Sequence, residues 1–213
     1  LSCPLCHQRK PKRFCPAEGE AICAVCCGTY REVRIDCPSD CPHLVAARRY
    51  EMEHRQPLSP DDLPYPGTRV SSDLIEQHQP VIVLIGQAIL EAARETKATD
   101  EDALAALAAM AETYRTLQSG IYYEHAPEGH VARNIYTHVT KAVADFKQAQ
   151  TERAGFSSSS LKDSEVFGLL VFLLRVGKQE TNGRPRSRAF LDFLRAWIPA
   201  GKEQREPSRI ITA

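Results

Sequence analysis

The chain is predicted to fold as two unlike parts: a small α+β module, made of a short hairpin plus a helix, and an all-α helical bundle behind it. Three observations carry that prediction. All eight cysteines lie between Cys3 and Cys41, and none occurs in the 172 positions that follow. A Pro-rich stretch, Pro57 to Thr68, separates the cysteine-rich segment from the rest. From Ser71 onward the apolar residues recur at helical spacing, with no convincing strand.

The amino-terminal segment reads C-x2-C-x8-C-x2-E-x4-C-x2-C-x10-C-x3-C through Cys3, Cys6, Cys15, Glu18, Cys23, Cys26, Cys37 and Cys41. A disulfide framework would need an oxidising compartment, and the opening LSCPLCHQRKPKRFCP has no apolar leader stretch. The two knuckles CPLC and CAVC favour metal instead, because a two-residue gap lets both thiolates reach one tetrahedral ion at about 2.3 Å. The expectation is therefore two structural zinc ions in a cytoplasmic protein.

Between the ligands, Arg13–Cys15 and Glu20–Cys23 flank Glu18-Gly19, where glycine can take positive φ at a hairpin turn. Gly28 is expected in a tight turn that brings backbone amides to sulfur. The apolar residues available to this module are Leu5, Phe14, Ile22, Val25, Val33, Ile35 and Leu44. So small a set cannot stabilise it alone, whereas structural zinc supplies on the order of 10 kcal/mol in comparable peptides.

In a cross-brace the first and third ligand pairs share one ion and the second and fourth share the other. That pairing puts Cys3, Cys6, Cys23 and Cys26 on the first zinc, and Cys15, Glu18, Cys37 and Cys41 on the second. His43 or His7 are alternatives to Glu18, and Cys27 is left over. Residues 3–44 resemble the B-box type 2 of the tripartite-motif proteins, a RING-like double zinc finger with the pattern C-x2-H-x8-C-x2-D-x4-C-x2-C and a closing His pair. Cys6 stands where that family has His, Glu18 where it has Asp, and Cys37 and Cys41 where it has the two His. The resemblance implies protein–protein contact or self-association for this module.

A helix is expected after Pro38-Ser39-Asp40, with Pro42 in its first turn and LVAARRYEMEHR running to Gln56-Pro57. These elements define a zinc module over residues 1–56 and a stiff linker over 57–70. The bundle is expected over 71–200, with a polar tail at 201–213. Within the bundle, DLIEQHQPVIVLIGQAILEAARET is broken by Pro80. Thr99 with Asp100, Glu101 and Asp102 opens the next helix, whose buried stripe is expected to be Leu104, Leu107, Ala111, Tyr114 and Leu117. A third helix runs from about Pro127 to Arg153, burying Val131, Ile135, Val139, Val143 and Phe146. After the flexible Gly155–Ser160 comes EVFGLLVFLLRVG, apolar nearly all round and too short for a bilayer, hence central in the bundle. SRAFLDFLRAWIP forms the last helix.

Three further constellations bear on function. His130, Asn134 and His138 stand four apart beside the polar-aromatic turn Tyr122-Tyr123-Glu124-His125, which reads as a polar helix face or a partner-binding patch. The run Arg9-Lys10-Pro11-Lys12-Arg13 invites nucleic acid, but residues 1–49 carry only eight basic against five acidic residues. Seven thiolates and two zinc ions would bring that sum near zero, so nucleic-acid binding is not favoured. Arg184, Arg186 and Arg188 form an exposed basic turn able to dock an acidic surface. Residues 50–161 hold nine basic and sixteen acidic residues, and 162–213 hold ten and six; such asymmetry suits contacts within the chain or with a partner. The functional expectation is a non-catalytic interaction or assembly protein with a protein partner. A ubiquitin-ligase-type or nucleic-acid-binding regulatory protein is the alternative.

Overall fold

The computed structural model describes residues 2–154 and 161–198, so the serine-rich segment and the polar tail lie outside it. Strands β1, Arg13–Cys15, and β2, Glu20–Ile22, pair antiparallel with Cys15 opposite Glu20. Gly19 closes their turn at φ +71°, a conformation costly for any residue with a Cβ. Helix α1, Ala24–Tyr30, follows the hairpin directly, and α2 spans Pro42–Glu53. Gly28 is inside α1, which corrects its expected place in a turn. The amides that approach sulfur come from the knuckles instead.

Of the seven apolar residues offered as the core of the module, Ile22, Ile35 and Leu44 are fully buried. Phe14, Val25 and Val33 are exposed, at 63%, 51% and 41%. Five of the seven residues in the buried cluster of this region are cysteines. Sulfur occupies the place where a larger domain puts aliphatic side chains.

The bundle begins with α3, Ser72–Gln77, and α4, Gln79–Glu95. His78 separates the two and Pro80 lies in the first turn of α4, where a missing N–H costs nothing. Next come α5, Asp100–Leu117, and α6, His130–Ala154. The last two are α7, Asp163–Glu180, and α8, Ala189–Trp197. Thr99 and Asp102 cap α5 reciprocally: the Asp102 carboxylate accepts from Thr99 N–H at 2.9 Å while the Thr99 hydroxyl accepts from Asp102 N–H at 3.5 Å. Helix α5 packs against α6, α7 and α8, and α4 packs against α6.

This central position rotates the buried stripe of α5. Ala103, Ala106, Leu107, Met110 and Ala111 are buried, while Leu104 and Tyr114 are only partly so. Small residues face inward because three helices close on α5 at once. The same crowding explains Gly177, where a Cβ would lie 2.6 Å from Leu104 Cδ2 and 3.1 Å from Phe190. On α6, Ile135, Val139 and Val143 are buried as expected. Helix α7 buries Val166, Leu169, Leu170, Val171 and Leu173 almost completely. Among the described residues no helix is long and apolar enough to cross a membrane.

The Pro-rich stretch is fastened to the bundle. The Arg175 guanidinium on α7 donates to the carbonyls of Pro64, Tyr65 and Thr68 at 3.1, 2.6 and 2.8 Å. The Tyr65 hydroxyl donates to Glu112 on α5 at 2.6 Å, and its ring meets Phe167 edge-on at 5.3 Å.

Candidate metal centre

Two knuckles meet at the base of the hairpin. In the first, His7 N–H donates to the Cys3 carbonyl at 2.7 Å, with His7 at φ +55°. Cys3 N–H donates to the Arg9 carbonyl at 2.8 Å, turning the chain back into β1. In the second, Cys23 caps α1, its sulfur accepting from Cys26 N–H at 3.3 Å, while Cys23 N–H reaches Cys3 Sγ at 3.2 Å.

The four sulfurs of Cys3, Cys6, Cys23 and Cys26 all lie within 4.8 Å of one another. Cys6 and Cys23 are 3.9 Å apart. A tetrahedron with metal–sulfur bonds of about 2.3 Å has edges of about 3.8 Å, so these side chains fit such an ion with little movement. The electrostatics agree with that fit. The amides of Gln8 and Arg9 pull the Cys6 thiol down to about 6. Burial, together with the neighbouring sulfurs of Cys23, Cys6 and Cys3, pushes Cys26 up to about 12. Burial would raise Cys3 too, but amides of Cys23, Leu5 and Cys6 outweigh it and hold that thiol low. Four sulfurs this close repel as thiolates, and a divalent cation is what lets all four ionise together.

The remaining expected ligands are not drawn into a second group of that tightness among the described residues. Cys15 is buried at the end of β1, and Cys41 is buried at the cap position of α2. Cys37, half-buried between them, is raised by burial first and further by the charges of Cys15 and Cys41, against a lowering contact from the Glu32 amide. Glu18 is exposed in the hairpin turn, His7 is exposed, and His43 is half-buried in the first turn of α2. Cys27 is buried, and the Arg13 guanidinium donates to its sulfur at 3.6 Å.

The turn after α7 takes a role that the sequence left open. Arg184, Arg186 and Arg188 are engaged by the cysteine-rich module. Arg184 donates to the Arg31 carbonyl and to Glu51, each at 3.3 Å. Arg188 reaches Asp36 at 2.6 Å and the Ala98 carbonyl at 3.1 Å. Arg186 N–H donates to the Glu32 carbonyl at 2.8 Å. Glu32 itself is 1% exposed, with φ +53°, and its carboxylate accepts from Arg48 at 2.6 Å and from Asn182 at 2.7 Å. Arg48 then bridges to Asp192 on α8 at 2.6 Å. Two carboxylates raise this guanidinium above its ordinary value although burial opposes them. Nothing in the spacing of Glu32 or Arg48 marks them for this junction.

The trio on α6 is used otherwise. His138 Nδ1 is 3.0 Å from the Asn134 carbonyl, its Nε2 lies 3.9 Å from Glu95, and His130 is exposed. Among the described residues the four-cysteine group is the one cluster tight enough for a metal ion. Arg9, Lys10 and Lys12 are exposed, whereas Arg13 turns inward to Cys27. Compared with known proteins, the chain matches no family model, and no curated protein or solved structure is significantly similar to it.

Proposed function

We propose that this protein is a non-catalytic recognition or assembly protein, built from a zinc-stapled cross-brace and a helical bundle. The observation that carries the reading is the closed set of four sulfurs: with Cys3, Cys6, Cys23 and Cys26 filling a tetrahedron, an ion there has no open position for water or substrate. A second zinc, gathered by Cys15, Cys37 and Cys41 with one more ligand, completes the interleaved pairing that the resemblance to the B-box implies. Both ions serve to hold surfaces in place.

Two surfaces are available for a protein partner. On the module, Phe14, Val25 and Val33 are exposed. On the bundle, the segment between α5 and α6 presents Ile121, Tyr122 and Tyr123 at 64%, 71% and 62% exposure. Tyrosines of this kind supply large contact area with a polar tip, the chemistry of protein recognition.

The test is a comparative pull-down with the zinc-loaded full chain against two variants, Cys23→Ser/Cys26→Ser and Tyr122→Ser/Tyr123→Ser. Partners retained by the native chain and lost by one variant are expected. An identical set on all three baits, together with a monomer by light scattering, would end the reading. Discharge of a loaded ubiquitin-conjugating enzyme by the native chain would replace it with the ligase alternative.

A further inference from the structure

We propose that Cys27 is the fourth ligand of the second metal site, joining Cys15, Cys37 and Cys41 in an all-thiolate set. All eight cysteines of the chain would then be ligands, four to each ion. This rests on the two-ion reading above and replaces Glu18 within it.

The argument begins on α1. Successive helical residues point about 100° apart, so Cys26 and Cys27 cannot serve one tetrahedron from the same side. Cys26 belongs to the first group. Cys27 faces another way, and its neighbour identifies the direction: Arg13 Nη1 lies 3.6 Å from Cys27 Sγ. Arg13 and Cys15 are two apart on β1, so their side chains leave the same face of the strand. The face that meets Cys27 is therefore the face that carries Cys15. Cys15 and Cys27 both belong to the buried cluster of the module, and the partly buried Cys37 packs against it.

Cys41 enters from the start of α2, its N–H donating to the Pro38 carbonyl at 3.0 Å in the turn that follows Cys37. These residues come from four separate segments: β1, α1, the loop after it and the cap of α2. That is the topology of a staple. Two of the three competitors are placed less well, and the third, His43, is half-buried in the first turn of α2 and is tested by substitution. Glu18 is exposed at the tip of the hairpin, and His7 is exposed on the first knuckle.

Chemistry points the same way. A zinc ion with four thiolates carries a net charge of −2, and the Arg13 guanidinium beside Cys27 offsets part of it. A neutral buried thiol would give that cation no comparable partner. Because these sulfurs are not already gathered as tightly as the first four, binding must draw them together, and the second ion is expected to be the weaker one.

The experiment is cadmium-113 magnetic resonance on the full chain loaded with two equivalents of the metal. Its chemical shift separates four-thiolate from three-thiolate coordination. Two resonances, both in the four-thiolate range, are expected. Zinc content should fall from about two per chain to about one in Cys27→Ser and remain at about two in Glu18→Gln and His43→Gln. The native spectrum decides even where Cys27→Ser does not fold. Two ions with one in a three-thiolate shell, or loss of an ion in Glu18→Gln or His43→Gln, would overturn the assignment of Cys27 and leave the two-ion reading standing. A native chain that takes up a single ion would overturn both.

Discussion

The cysteine-rich module and the helical bundle solve the same problem with different means. The buried cluster of the bundle runs from Val81 to Ile198 and is built of aliphatic and aromatic side chains, with Phe190, Ile85, Leu107 and Leu170 among its fully buried members. That of the module is five cysteines with Ile22 and Ile35. Burying a leucine-sized side chain contributes about 1.5–3 kcal/mol, so a large cluster sustains itself and two isoleucines do not. The comparison teaches that the bundle carries its stability in its apolar side chains, whereas the module has too few of them and instead gathers four sulfurs that could hold a metal ion. The junction between them is polar, centred on Glu32 and Arg48.

Removing the ion should break the comparison most sharply. Thorough chelation is expected to cost the module on the order of 10 kcal/mol per site and to unfold it. Amide exchange across β1, β2 and α1 should collapse to unprotected rates, while α4, α5 and α7 keep their protection. Continued protection of the hairpin in chelator would show that the module has a core of its own. Loss of the bundle together with the module would show that the two halves are not independent.

The junction gives the next largest effect. Glu32→Gln keeps the shape and the backbone conformation but removes the charge that Arg48 needs. Breaking a buried pair by neutralising one partner costs about 3–5 kcal/mol, reduced here because Asp192 still holds Arg48. Loss of about 3 kcal/mol corresponds to roughly a hundredfold change in an opening equilibrium. The probe is the Arg186 amide, which donates to the Glu32 carbonyl. Its exchange should quicken about that much in the variant while metal content stays the same. An unchanged rate would mean that the module is held on the bundle by other contacts.

How far the sequence could be read follows the same divide. Helix periodicity located α4 through α8, because each buries one face against neighbours; Pro80 and Thr99 mark the starts of α4 and α5, whereas α6 begins at His130, three positions after the expected Pro127. The first metal group was legible from spacing alone, since two knuckles fix four sulfurs. Contacts set by tertiary structure were not. The inward face of α5 shifted toward alanine because three helices meet there, and Phe14 points outward because it alternates with Arg13 and Cys15, which turn inward. Asp100, read only as an acidic residue in a first turn, is 1% exposed and accepts from Ser187 Oγ at 2.7 Å and from the amides of Phe190 and Leu191 at 3.1 and 3.2 Å. It joins the starts of α5 and α8, which lie some ninety positions apart. No local pattern reveals a partner at that distance.

The smallest effect concerns the Pro-rich strap, which lies between the two halves in sequence. Tyr65→Phe removes one hydrogen bond, to Glu112, and keeps the ring against Phe167. A loss of about 1 kcal/mol is expected, confined to the strap. The pH dependence follows from the same pair. Burial alone would raise the Glu112 carboxyl, but the Tyr65 hydroxyl and Arg115 hold it below its ordinary value. A carboxylate whose folded value is depressed contributes stability above its unfolded value, about 4.3, and loses that contribution as pH falls through the lower folded value. Exchange at Thr68, whose N–H donates to the Tyr65 carbonyl at 2.9 Å, should therefore accelerate in acid beyond the intrinsic trend. In Tyr65→Phe that acceleration should be weaker, because one of the groups holding Glu112 charged is gone. Identical pH profiles in the two proteins would mean that Arg175, with its three carbonyl contacts, fastens the strap without help from Tyr65. The strap would then belong to the bundle through its backbone alone.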